Sequence, residues 1–390
     1  YVNSYLTVVN RPNLWQYIFD LVSLVNASFK ENADAPFKAS YILDPSPEFN
    51  EIFEALTIDP KAVQADERLR VDYISIRKKP FYKLKDGKYV VMYWSYFYNQ
   101  IHLGLLFDFY NRSGIKEFCR TFPDFRSYTA KNVSERLIFN GIMKKALTKK
   151  HRITNFDDGN VPGAPDGYHR DGKYIFLFEF KDVLMPAEVS FSTNHIKYKE
   201  DIDTKFIANQ QGDRKGIRQL LEHIKKIDTG GFPFDKFEDR GLKRRNLVVY
   251  PIIVYTHSMY SLPGVNSYLN TIFREELEQH KSASGLDIGT VKDVIMIDFQ
   301  FFYHNFSSFA HGQHDIKDVL DKYYEEMLRR AIKWKRTGKA EDRLNANSAF
   351  ETVSFNLSPK EPAHKKRDYV KDLFEALNIR PELSMPAPAG

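Results

Sequence analysis

Apolar residues fall into two kinds of stretch along this chain: some recur every three or four positions, others alternate or run unbroken. The first kind predicts helices and the second strands. NLWQYIFDLVSLVNASF (13–29) has the spacing of an amphipathic helix. A hairpin follows in KLKDGKYVVMYW, where Asp86-Gly87 suits a type I′ turn. QIHLGLLFDFY (100–110) and IKEFCRTF (115–122) read as further helices. Residues 1–130 form a mixed N-terminal α/β lobe, suited to recognition or partner binding and without a catalytic pattern.

Beyond 131 the order is plainer. SERLIFNGIMKKALTKK (134–150) predicts a helix with Leu137, Ile138, Ile142 and Leu147 on one side. RITNF (152–156) predicts a short strand and KYIFLFEFK (173–181) a strong one. GDRKGIRQLLEHIKKID (212–228) predicts a helix, and NLVVYPIIVYT (246–256) a strand of buried character. DVIMIDFQFFY (293–303) reads as another strand, with Asp298 a buried, hydrogen-bonded acid, and IKDVLDKYYEEMLRRAIKWK (316–335) as a helix. The expected architecture over 131–335 is α/β, mixed in the α+β sense: a central mixed sheet flanked by helices. Residues 336–390 form a C-terminal extension with weaker signals: a strand at TVSFNL (352–357), a helix at RDYVKDLFEAL (367–377) and a disordered Pro/Ala tail.

A length of 390 residues favours two compact lobes, and the high aromatic share of 15% supports a substantial β component. No apolar run approaches the ~20 residues of a spanning helix, so no membrane partner is expected. The opening YVNSYLTVVN has no signal-peptide pattern. Cys119 is the single cysteine, which leaves no internal disulfide and no cysteine-based zinc site and fits a cytoplasmic setting. A net charge of +6 excludes little, but basic residues cluster at 144–152, 240–245 and 333–339. Of these, Lys149, Lys150, Lys243, Arg244 and Arg245 are candidate phosphate contacts, with solvated surface as the alternative.

The chemistry concentrates in one strand. By the period of two, Ile175, Leu177, Glu179 and Lys181 share one face and Phe176, Phe178 and Phe180 the other. An acid and an amine therefore emerge together from an apolar run, which is costly without a partner or a metal. Just upstream stands Pro165-Asp166-Gly167, with YHRDG read as the turn between. Antiparallel pairing of 164–168 with the end of 173–181 brings Asp166 beside Glu179 and Lys181. Two carboxylates there suit Mg²⁺, which takes a few carboxylates plus water and phosphate oxygens. The ion would polarise a scissile phosphate and acidify an attacking water, with Lys181 orienting or deprotonating that water. The alternatives are a turn-shaping role for Asp166 and an ordinary charged strand end for Glu179 and Lys181.

With PD at 165–166 and EFK at 179–181, in a helix–strand–strand–strand–helix–strand order, residues 131–257 resemble the PD-(D/E)XK nuclease superfamily, whose members include restriction-type endonucleases. The resemblance implies a restriction-endonuclease-like core in which Asp166, Glu179 and the Phe180 carbonyl bind Mg²⁺, with Mn²⁺ as a substitute, and Lys181 is the catalytic amine. It adds Glu135, the acid of the first core helix, as a catalytic residue and metal ligand. It adds Gln219 as the polar residue on the helix after the motif; His223 stands where one subgroup has Tyr. Against these, Asn132-Val-Ser-Glu135 has the form of a capping box, and Gln219 reads equally as a polar helix residue. The function implied is a metal-dependent endonuclease acting on DNA in preference to RNA, with a homodimer or partner subunit compatible. A catalytically silent DNA-binding or partner-docking protein on the same fold, or an RNA nuclease, is the alternative.

GYHRDGK (167–173) approaches a phosphate-binding loop, but Tyr174 replaces the hydroxyl residue and a strand follows instead of a helix. His304, His311 and His314 lie close in sequence without other metal-type ligands at helical spacing.

Overall fold

A computed structural model describes residues 1–30, 41–47, 49–61, 74–156, 161–190, 192, 194–354 and 369–380. They divide into two compact units, Tyr1–Tyr128 with Arg380, and Thr129–Ile379. Among the described residues, no helix is long and apolar enough to cross a membrane.

In the first unit the expected helix spans Leu14–Lys30 and buries Leu21 and Leu24. Strands β1 (Ile42–Leu43), β2 (Phe81–Lys83) and β3 (Tyr89–Val91) form an antiparallel sheet in the order β1-β3-β2. Its turn differs from the expected type I′. Gly87 N–H donates to the Leu84 carbonyl at 3.1 Å, and only Gly87, at φ 86, has a positive φ there. A type I′ turn would need Asp86 at positive φ as well; the loop is instead a tight turn closed by a left-handed glycine. Residues 100–110 are helical, as a π segment at Gln100–Gly104 running into the helix Leu105–Arg112. The helix expected over 115–122 is replaced by a 3₁₀ turn at Ile115–Glu117 and a new helix at Phe122–Thr129. Thr121 Oγ1 accepts from Asp124 N and Asp124 Oδ2 from Thr121 N, a capping box that starts the second helix where a continuous one was expected.

The second unit holds a six-stranded mixed sheet. Its strands are β4 (Ile153–Asn155), β5 (Gly167–Asp171), β6 (Tyr174–Lys181), β7 (Val248–Tyr255), β8 (Thr290–Val291) and β9 (Ile295–Asp298). They run β4-β5-β6-β7-β8, with β9 also on β7; β4, β5 and β6 pair antiparallel, the others parallel. YHRDG is thus not the turn that was expected: Tyr168–Asp171 belong to β5, and Gly172-Lys173 connects β5 to β6.

Helices cover both faces, which explains the apolar runs. Ile175 and Leu177 join a core with Leu220, Ile224, Ile227 and Phe273, from the helices Gly216–Asp228 and Val265–Ser284. Phe176, Phe178 and Phe180 join the opposite core with Ile142, Leu147, Leu320 and Phe350. Proline in a central strand normally removes a ladder bond. Here Leu247 and Val249 turn their carbonyls toward the β8 side, so Pro251 faces the same way. That edge is open at Pro251, because β8 pairs with Val248 and Val249 and β9 begins only at Ile252.

Three further expectations for this unit change. The helix over 134–150 is a π segment at Ala130–Phe139 followed by an α-helix at Asn140–Leu147. Its wider turn shifts the facing residues, so Leu137 is 51% exposed while Phe139, Ile142, Met143 and Leu147 are buried. The strand over 293–303 stops at Asp298, whose carboxylate accepts from Gln300 N at 2.9 Å and caps the helix Phe299–His304. Asp298 is the buried, hydrogen-bonded acid expected, in a capping role. The strand read over 352–357 begins within a helix, Phe350–Ser354, because Phe350 and Val353 both enter the core at helical spacing; 355–357 lie outside the described residues. The later helix spans Tyr369–Ala376, and the tail at 381–390 also lies outside them.

His169 on β5 is fully buried against Phe176, and neither ring nitrogen has a hydrogen-bond partner. Burial, then the nearby Arg152, against an opposing Asp315, push its pKa from 6.5 down to about 3. The unfolded chain takes up this proton near pH 6.5 and the folded chain only near pH 3, so stability falls as pH drops through that window. His169→Leu should flatten this acid limb, keeping up to about 3 kcal/mol more stability at pH 4 relative to pH 7 than wild type keeps. Thermal melts at both pH values measure it; parallel limbs would contradict the assignment.

Candidate active site

The site lies where β6 outruns β5. Gly167 pairs with Phe178, so Asp166, one residue earlier, comes level with Glu179. The expected neighbourhood of Asp166 and Glu179 is observed, but through a ladder of 167–171 with 174–178 rather than of 164–168 with the strand end. Asp166 Oδ2 accepts from Phe180 N–H at 2.8 Å, an anchor that holds the carboxylate against the strand end. In a strand the carbonyl of a residue points to the same side as its N–H, so the Phe180 carbonyl faces Asp166 as well. Gly167 is required by packing rather than by a turn: a Cβ there would collide with the Phe156 ring.

Lys181 Nζ lies 2.8 Å from Glu179 Oε2 and 3.7 Å from Asp166 Oδ2. Glu179 is 1% exposed at its side chain and Asp166 22%, so the cluster opens to solvent on the Asp166 side. Burial and the neighbouring Glu179 push the Asp166 pKa well up, against the pull of Lys181. Burial also acts against ionised Glu179, but Lys181 and His223 outweigh it and hold that carboxyl below its usual range. The Lys181 ammonium, disfavoured by burial, is held in turn by Glu179 and Asp166. With both carboxyls ionised, one ammonium between them leaves net negative charge in a low-dielectric corner, the arrangement a divalent cation relieves.

Glu135 lies on the π segment Ala130–Phe139, close enough for its charge to raise the pKa of both Asp166 and Lys181. It sits inside the helical segment, not at a helix start, so the capping-box reading of Asn132–Glu135 does not hold. The same segment is fastened to the sheet by Asp182, whose carboxylate accepts from Ser134 Oγ at 2.6 Å and from Thr256 Oγ1 at 2.8 Å. Gln219 is turned to local use: its Oε1 accepts from Gly216 N–H at 2.9 Å in the first turn of its own helix. His223, one turn further on, reaches the site instead, with Nε2 2.7 Å from Glu179 Oε1. The sequence signal for it was the four-residue spacing from Gln219, which puts both on one helix face.

The basic candidates are not gathered here. Lys181 is level with Tyr255 at the C-terminal end of β7, whereas Lys243, Arg244 and Arg245 precede Val248 at its other end. Seven residues of strand separate the two ends by roughly 23 Å. Arg244 is also tied down, to Glu238 at 2.8 Å and to the Asp228 carbonyl. Lys149 and Lys150 precede β4, whose Ile153 is level with Arg170 and Ile175, again away from Glu179. His311 is bonded to Ser307, and His314 packs on Phe309.

Asp166, Glu179 and the Phe180 carbonyl are hard oxygen donors, and they fit Mg²⁺ or Mn²⁺. A cation held by these three oxygens alone would keep places for water and phosphate oxygens. No family model, curated protein or solved structure matches this chain.

Asp166→Asn keeps the hydrogen bond from Phe180 and removes one like charge from the cluster. It should stabilise the cation-free protein by about 1 kcal/mol, as expected where a site holds unfavourable charge. It should also abolish any rise in melting temperature on adding Mn²⁺. Melting curves with and without Mn²⁺ check both, and a destabilised variant would show that Asp166 serves the fold instead.

Proposed function

We propose that this protein is a metal-dependent phosphodiesterase of the PD-(D/E)XK kind, acting as an endonuclease on DNA. The observation that carries the reading is the convergence of Asp166, Glu179 and Lys181 at one strand end, with Lys181 Nζ 2.8 Å and 3.7 Å from the two carboxylates. A mixed sheet between two helical layers supports it, since the motif stands in the expected strand context. Asp166, Glu179 and the Phe180 carbonyl would hold the cation, which supplies charge neutralisation at the phosphate and acidifies water.

The chain's own residues do the rest. Asp166 is fixed by the Phe180 N–H with its Oδ1 outside that bond. Lys181, braced between both carboxylates, is placed to orient the attacking water and to balance charge developing on the phosphorane oxygens. Glu135 adds a third negative charge at the same corner.

Purified protein with Mg²⁺ should nick or cut plasmid DNA, and chelation of the cation should stop it. Lys181→Ala and Glu179→Ala should each lower the rate roughly 10²–10⁴-fold while remaining folded by circular dichroism. Cleavage by these variants at the wild-type rate would sink the proposal. Matched DNA and RNA duplexes, run side by side, test the substrate preference; faster RNA cleavage would reverse it.

A further inference from the structure

His223 stands where one subgroup carries Tyr, and it ties the Gly216–Asp228 helix to the site. Its ring is buried, with Nε2 2.7 Å from Glu179 Oε1 and Nδ1 without a hydrogen-bond partner. The ring stands 6.2 Å from that of Phe232, an apolar neighbour that offers it no alternative bond. An ionised carboxylate only accepts, so the proton of this bond sits on Nε2. The other oxygen, Oε2, is taken by Lys181 at 2.8 Å. Glu179 is therefore gripped at both oxygens by donors on different elements, one on its own strand and one on the covering helix. With both grips in place the carboxylate cannot turn about its terminal bond; with one removed it can.

We propose that His223 is a positioning residue: by donating Nε2–H to Glu179 Oε1 it fixes the plane in which Glu179 offers its remaining lone pairs to a divalent cation. The assignment rests on the phosphodiesterase reading above. Outer partners that orient ligating carboxylates typically change metal affinity 10–100-fold when removed. Asp182 has the parallel task on the helical side, holding the segment that carries Glu135.

The test uses the full chain and Mn²⁺ as probe, with calorimetric titration and plasmid cleavage as separate readouts. His223→Leu keeps bulk and loses the donor, His223→Asn has a donor too short to reach, and His223→Gln carries its amide nitrogen about where Nε2 lies. Leu and Asn should weaken Mn²⁺ binding 10–100-fold and lower kcat with KM for DNA unchanged, while Gln restores both toward wild type. A folded Leu variant that binds Mn²⁺ as wild type does overturns the proposal. If Leu does not fold, the contrast of Gln with Asn decides: equal affinities overturn it, and the predicted difference upholds it. Wild-type protein that neither binds Mn²⁺ nor cuts nucleic acid is a different failure, of the phosphodiesterase reading itself, and takes this proposal with it.

Discussion

Burial of β6 on both faces governs where this protein can carry charge. From Ile175 to Phe178 each side chain is committed to one core or the other, and all four are fully buried. An ionised group in that stretch would cost several kcal/mol. The first charge on the strand stands at Glu179, where β5 has ended and Asp166 lies alongside in its place. Charged residues gather at this end because β5 stops covering them there.

The cluster is kept, not favoured, by the fold. Burial acts against ionising each of the three groups; their contacts outweigh it at Glu179 and Lys181 but not at Asp166, because two carboxylates face one ammonium. Structures pay for such corners elsewhere, here through two aromatic-rich cores and the tight backbone register of the β5–β6 hairpin. A site of this kind is rigid before any ligand arrives, since Asp166 is anchored by a backbone N–H and Glu179 by donors at both oxygens.

What the sequence disclosed was local and periodic. Alternation along KYIFLFEFK put Glu179 and Lys181 together, and the short step from Asp166 brought it level with them in a hairpin, though not through the residues expected to pair. Residues 173–181 and 246–256 read as buried strands because an unbroken apolar run leaves no solvent face. What stayed hidden depended on packing between distant elements. The contact of His223 with Glu179 requires knowing which face of its helix meets the sheet. Leu137 was misplaced because a π segment has no periodic signature of its own, so one wider turn rotated the face unseen. The basic clusters looked usable because sequence distance says nothing about which end of a parallel strand a loop occupies. Asp298 and Thr121 show the remaining kind of miss, in which a side chain capping a helix ends one element and starts the next.

The close approach of Phe156 to Gly167 reaches further than local fit. The ring lies over the one residue that joins Asp166 to β5, so its bulk sets how near the acid stands to Glu179. The two positions are therefore bound as a pair: any gain in volume at 167 has to be met by a loss at 156. Lineages of this fold would be expected to change them together or not at all. The geometry of a charged cluster is in this way inherited from an apolar contact one strand away.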